Sequence, residues 1–103
     1  MNFDEHPRAS RKPFIATVVV TDVASERQIS TRTSDLSVDG CFVPTPTPFD
    51  LGVNLQITIV YAEKKVVAFG RVVFARADGM GITFTKIEQQ DQAVLEKWMS
   101  PAN

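Results

Sequence analysis

Most of the chain alternates between apolar and polar residues, which is the pattern of strands with one face in a core. The clearest case is Asn54-Leu55-Gln56-Ile57-Thr58-Ile59, in which the apolar residues all share one face. Other β-branched or alternating runs predict further strands over residues 14–23, 28–34, 41–43, 53–60, 66–77 and 81–85. We therefore predict a mainly β protein of short antiparallel strands.

Glycines and turn residues add detail to this predicted sheet. Gly70 lies inside the long strand over 66–77, where a glycine indicates the bend or bulge of a barrel. Asp78-Gly79 is the pair typical of a two-residue hairpin turn in which both central residues have positive φ. A second, charged hairpin is predicted over residues 61–65.

The apolar pattern takes a helical period near the C-terminus. Over residues 88–99, the positions i, i+1, i+4 and i+5 fall on one face of a helix; they are Val94, Leu95, Trp98 and Met99. Pro101 ends this helix. We expect its apolar face to cover the mouth of the barrel.

Composition and charge exclude several classes of function. A length of 103 residues with 44% hydrophobic and 22% charged residues is ordinary for one soluble domain. The net charge of −1 argues against a general nucleic-acid binder. With one cysteine and one histidine, the chain has no internal disulfide, no multi-cysteine metal site and no evident catalytic triad. No secretory segment or membrane-spanning run is found, so we expect a cytoplasmic protein without enzymatic activity, metal, cofactor or membrane insertion.

The best candidate for binding chemistry is the segment Asp35-Leu36-Ser37-Val38-Asp39-Gly40. In extended backbone, Asp35 and Ser37 point to the same side, and Gly40 permits a turn or bulge that a Cβ would resist. A carboxylate beside a hydroxyl suits the polar edge of a guanine, which offers N–H donors. The same residues are also ordinary Asx-turn chemistry, and this alternative stays open.

A second candidate is the polar N-terminal segment, which contains Arg8 and Arg11. A guanidinium can grip a phosphate or the O6/N7 edge of guanine with two hydrogen bonds, and it can stack on a base. We predict a flexible arginine-bearing arm over residues 1–13 and a single folded domain over residues 14–103. A solvated basic tail is the alternative reading of the same segment.

Together these features resemble the PilZ domains, a family of bacterial receptors for cyclic di-GMP. Residues 35–40 match the D/N-x-S-x-x-G motif of that family, and the arginine-bearing segment lies upstream at about the family's distance. The last predicted strands and the terminal helix are similar too, so the resemblance covers nearly the whole chain. It implies a six-stranded antiparallel β-barrel with a C-terminal α-helix.

The resemblance also implies a ligand and a role for each candidate residue. Arg8 and Arg11 would contact phosphate and guanine, Asp35 and Ser37 would bind one guanine edge, and Gly40 would allow close approach. Binding would order the arm and signal to an unidentified effector protein. The chain departs from the family's R-x-x-x-R motif, because Pro7 stands four places before Arg11. This departure favours the alternative of a degenerate PilZ-like adaptor that binds no nucleotide and acts by protein–protein contact.

Overall fold

The computed structural model describes residues 12–100. Within them lie eight strands and one helix. The strands are β1 (Lys12–Pro13), β2 (Thr17–Asp22), β3 (Gln28–Arg32), β4 (Asp35–Ser37), β5 (Gly40–Pro44), β6 (Asn54–Tyr61), β7 (Lys64–Arg76) and β8 (Gly79–Ile87). The helix, α1, is Gln89–Met99.

The strands form one antiparallel sheet in the order β1-β4-β5-β8-β7-β6-β2-β3. Its two ends are linked twice along the chain, because only residues 14–16 separate β1 from β2 and only residues 33 and 34 separate β3 from β4. The sheet therefore curls towards closure and forms a half-barrel. This architecture confirms the predicted mainly β fold with a C-terminal helix.

The strand count is eight rather than six because two long strands are each interrupted at one place. The interruption lies between β1 and β2 and, opposite it, between β3 and β4. There the Thr33 hydroxyl donates to the Phe14 carbonyl over 2.6 Å and accepts from the Ala16 N–H over 3.0 Å. Because a side chain satisfies these backbone groups, the ladder is broken without leaving them unpaired.

The core lies on the inner face of the curled sheet and is built by the alternating pattern. Leu55, Ile57 and Ile59 of β6 are fully buried, as their alternation predicts. Cys41 is a fully buried core residue. Leu95 is the buried residue of α1, and Val94, Trp98 and Met99 pack around the core beside it. The helix packs against β7 and covers part of the core.

The two hairpin turns on either side of β7 have different backbone conformations. In the β6–β7 hairpin, Ala62 and Glu63 have φ of 53° and 66°. In the β7–β8 hairpin, Ala77 and Asp78 form the turn, and Gly79 is already the first residue of β8. Among the described residues, neither Asp78 nor Gly79 has a positive φ. The prediction of positive φ at Asp78-Gly79 was therefore wrong, although a hairpin does form there.

The predicted irregularity at Gly70 is present. The β7–β8 register shifts between Phe69 and Gly70. A Cβ on Gly70 would collide with the backbone carbonyl of Thr83, which is not free to move. Only glycine therefore allows β7 and β8 to approach this closely.

The β2–β3 turn is closed by the carboxylate of Asp22. It accepts hydrogen bonds from the Ser25 hydroxyl at 2.9 Å and from the Ala24 N–H at 3.0 Å. These bonds, chiefly the one from Ser25, lower the pKa of Asp22 below its ordinary value. The turn is thus an Asx-type turn that favours the charged form of the side chain.

Candidate ligand-binding site

Asp35 lies on the outer face of the sheet, at the start of β4. Its register partner is Phe42 of β5, and its Oδ1 accepts the Phe42 N–H over 3.2 Å. The side chain is half-buried. The carboxylate is therefore held in position by the backbone of the neighbouring strand.

Ser37 and Asp39 form a tight unit in the turn between β4 and β5. The Ser37 hydroxyl donates to Oδ1 of Asp39 over 2.6 Å and accepts from the Asp39 N–H over 3.2 Å. Ser37 is only 1% exposed, whereas Asp39 is exposed. The hydroxyl thus fixes a second carboxylate at the surface, instead of being presented there itself.

Gly40 is the first residue of β5 and faces Ser37 across the hairpin. On its other side it pairs with Thr83 of β8. Among the described glycines, Gly52 has positive φ and Gly40 does not. Gly40 is itself buried and its backbone is not left-handed, so a turn conformation does not account for the glycine.

Two phenylalanine rings lie beside Asp35 on the same outer face. Phe42 pairs with Gly81 of β8, and Gly81 pairs with Phe74 of β7. The two rings are 6.0 Å apart between centroids with planes inclined at 21°, and we call them the phenylalanine platform. Phe74 is 38% exposed and Phe42 is 9% exposed. Such a surface can stack a planar base.

The platform depends on small residues beneath it and a cation above it. A Cβ on Gly79 would come within 2.5 Å of the Phe42 ring, and one on Gly81 would collide with Phe74. The guanidinium carbon of Arg76 lies 4.8 Å from the Phe42 ring centroid and 5.6 Å from that of Phe74. Arg76 also pairs with Asp78 at 3.3 Å. This arginine is consequently engaged by its own neighbours.

The N-terminal segment joins the site through β1. Lys12 pairs with Leu36, and Pro13 pairs with Asp35. Arg8 and Arg11 lie outside the described residues, so their predicted contacts stay predictions. Since consecutive Cα atoms are 3.8 Å apart, Arg11 is nevertheless next to a residue that pairs with β4.

The structure brings Asp35, Ser37 and Gly40 together in one hairpin, but the sequence analysis missed other residues of this surface. Asp39 extends the alternation of Asp35 and Ser37 by one more step, which is a signal that the sequence does contain. Phe42 and Phe74 carried no such signal, because their contact depends on the pairing of strands that are distant in the chain.

Comparison with known proteins identifies the family. The sequence profile described as the PilZ domain matches residues 5–100. The chain belongs to the PilZ domain family. The resemblance stated from residues 35–40 and the arginine segment is thereby confirmed.

Solved structures of low sequence identity share this PilZ fold. One is the inhibitor of motility MotI/DgrA of Bacillus subtilis, with a TM-score of 0.72 and 18% identity over 91% of this chain. The alignment covers 49% of MotI/DgrA, so the chain spans about half the length of that protein. Another is the PilZ domain of CeSA from a cellulose-synthesizing bacterium, with a TM-score of 0.72 and 17% identity. That alignment covers 89% of this chain and 100% of the CeSA domain. No curated protein matches the chain.

Membership places the chain among binding and adaptor domains of the cyclic di-GMP receptor class. Over residues 12–100, no helix is long and apolar enough to cross a membrane. The same range contains no group of three or more His, Cys, Asp or Glu side chains arranged to hold a metal ion.

Proposed function

We propose that this PilZ domain is a receptor for cyclic di-GMP that passes the signal to an effector protein in the cytoplasm, without catalysing a reaction. The observation that carries the proposal is the pairing of β1 with β4. It places the chain that leads to Arg11 directly beside the hairpin of Asp35, Ser37 and Asp39. We therefore expect the cationic side chains that precede Lys12 in the chain to act together with the carboxylates of Asp35 and Asp39.

Each part of this surface matches a part of the ligand. The carboxylates of Asp35 and Asp39 accept N–H groups from a guanine edge. The exposed ring of Phe74 offers a stacking surface in the adjacent strands. Arg8 and Arg11 contribute guanidinium groups, which bind phosphate more specifically than ammonium groups do. Gly40 has no side chain, and in this proposal it would let the ligand come close to the backbone of the hairpin.

The second candidate function is a PilZ-like adaptor that binds no nucleotide and acts by protein–protein contact. Two observations favour it. Pro7 stands where the R-x-x-x-R motif has an arginine, and the hydroxyl of Ser37 is engaged by Asp39 within its own turn. Retention of the Asp35, Ser37 and Gly40 set favours the receptor.

Calorimetric titration with cyclic di-GMP separates the two functions. We expect saturable binding with a Kd that is micromolar or tighter, and affinity reduced about tenfold or more in Arg8→Ala, Arg11→Ala and Asp35→Ala. Asp50→Ala is the matched control, because Asp50 is exposed and lies in the loop before β6. Cyclic di-AMP is the ligand control, since adenine lacks the adjacent N–H donors that two carboxylate oxygens require.

Thermal unfolding of the same variants checks that the loss is local. Arg8→Ala and Arg11→Ala should leave the melting temperature unchanged without ligand, because we predict that both residues belong to the arm and not to the core. No heat at high concentrations of cyclic di-GMP would reject the receptor and leave the adaptor. A drop of several degrees in the unliganded arginine variants would show that the arm is structural.

A further inference from the structure

A row of laterally paired residues, buried at Ser37 and Gly40 and accessible at Thr83 and Arg71, connects the candidate site on β4 to β7. Ser37 faces Gly40, Gly40 faces Thr83, and Thr83 faces Arg71. Residues directly opposite each other in an antiparallel sheet point to the same face. Arg71 is therefore on the face that carries the hairpin of Asp35 and Asp39, at the far end of this row.

The local geometry allows the Arg71 side chain to reach the middle of the row. Neighbouring strands lie about 4.8 Å apart, so Arg71 is two spacings, or about 10 Å, from Gly40. Gly40 has no side chain to fill the space between them. Thr83 is half-buried, and its hydroxyl lies 3.4 Å from the carbonyl oxygen of Asp39. The Thr83 hydroxyl and the Asp39 carbonyl, two polar groups in contact, thus lie between Arg71 and the hairpin.

Arg71 is also available for an external anion. Within residues 12–100 it forms no salt bridge, whereas Arg76 on the same strand is paired with Asp78 and lies over the Phe42 ring. Arg71 is exposed. An anionic ligand placed against Asp35 and Asp39 is repelled by two carboxylates, and this repulsion must be offset by cations nearby.

We propose that Arg71 binds a phosphate of cyclic di-GMP from the β7 side of the site. This inference rests on the proposed function and adds a residue that the D/N-x-S-x-x-G and R-x-x-x-R motifs do not contain. Cyclic di-GMP has two phosphates, so separate cations can act on it at the same time. Arg71 thereby compensates in part for the guanidinium that is absent at Pro7.

Calorimetry on Arg71 variants tests the inference. Arg71→Ala should weaken the binding of cyclic di-GMP about tenfold or more, as loss of a hydrogen bond to a charged group implies. Arg71→Lys should recover part of the affinity, since the charge remains while the planar fork is lost. Lys86→Ala is the matched control. Lys86 is an exposed cation on β8 whose partner on β7 is Phe69, farther along the strands from Asp35. It should change the Kd less than about threefold.

The salt dependence of binding provides a readout that a purely structural role would not move. Removing a cation that contacts phosphate should flatten the dependence of the Kd on NaCl concentration, because added salt screens that attraction. Arg71→Ala should show the flatter dependence, and Lys86→Ala should keep that of the unmodified protein. The melting temperature of Arg71→Ala should be unchanged, since the side chain is exposed.

The outcomes distinguish this inference from the receptor function. If the unmodified protein binds and Arg11→Ala weakens binding while Arg71→Ala does not, Arg71 is not a ligand contact and the receptor function stands. If the unmodified protein does not bind cyclic di-GMP at all, both proposals are overturned. Equal losses of affinity in Arg71→Ala and Lys86→Ala would also reject a specific contact, because they would indicate only the general electrostatic field of the protein.

Discussion

At the scale of single residues, the Ser37 hydroxyl stabilises the hairpin turn through hydrogen bonds within the protein. It is buried and holds both the carboxylate and the N–H of Asp39. We expect Ser37→Ala to lower the free energy of unfolding by about 1–2 kcal/mol, because the half-buried Asp39 N–H loses its acceptor. The ligand affinity should fall as well, since Asp39 is no longer fixed. Chemical denaturation together with calorimetry measures both effects.

Ser34→Ala is the control for this substitution, because Ser34 is an exposed serine of the segment that leads into β4. It should alter neither stability nor affinity. If Ser37→Ala abolished binding and left stability unchanged, the hydroxyl would face the ligand, and the role assigned here to Asp39 would be wrong.

The residues of the site could be predicted from the sequence only where they are close together in the chain. The spacing of Asp35, Ser37 and Gly40 is local, and strand periodicity places the first two on one side. The phenylalanine platform joins Phe42 to Phe74 through Gly81, and this contact requires knowledge of the β5–β8 and β8–β7 pairings. Periodicity predicts which face of the sheet each side chain points to, but it does not predict which strand lies beside it.

At the scale of elements, the β6–β7 hairpin contains strain that can be removed. Its turn residues Ala62 and Glu63 both have positive φ, which costs a non-glycine residue about 1–2 kcal/mol. Asn-Gly is the pair preferred in such turns. The double substitution Ala62→Asn with Glu63→Gly should therefore raise the free energy of unfolding by about 1 kcal/mol, as measured by denaturation.

The β7–β8 hairpin supplies the matched control for this prediction. It also has a two-residue turn, but Ala77 and Asp78 do not have positive φ. The corresponding change, Ala77→Asn with Asp78→Gly, should give no stabilisation. Equal stabilisation of the two turns would mean that the effect arises in the unfolded chain and not from the backbone conformation of the β6–β7 turn.

The elements themselves were largely predictable, and their interruptions were not. Alternation over residues 53–60 and the helical period over 88–99 each gave an element within one residue or two of its bounds. The break that divides β1 from β2 was not predicted. It depends on Thr33, which fits the predicted strand over residues 28–34 and therefore gives no sign of a break. Its hydroxyl reaches Phe14, which is 19 positions away in the sequence.

At the scale of the whole molecule, one aromatic side chain connects the site to the terminal helix. Phe14 follows β1 directly, and β1 pairs with β4 beside Asp35. The Phe14 ring lies 4.5 Å from that of Tyr61 and 6.0 Å from that of Trp98, and the last two are 5.6 Å apart. Trp98 belongs to α1. This aromatic cluster depends on contacts between opposite ends of the chain, so the sequence pattern could not predict it.

Through the same cluster, we expect ligand binding to change the fluorescence emission of Trp98 in α1. If Arg8 and Arg11 hold the nucleotide as proposed, binding fixes the chain just before Phe14, and a displacement there changes the surroundings of Trp98. Because Trp98 is the sole tryptophan, its emission is not mixed with that of another indole. We expect the emission to change on addition of cyclic di-GMP and to saturate with the Kd found by calorimetry.

Phe14→Leu keeps an apolar side chain but removes the ring, so binding should persist within about threefold while the emission change is lost. An undiminished emission change in Phe14→Leu would show that the helix senses the ligand by another route.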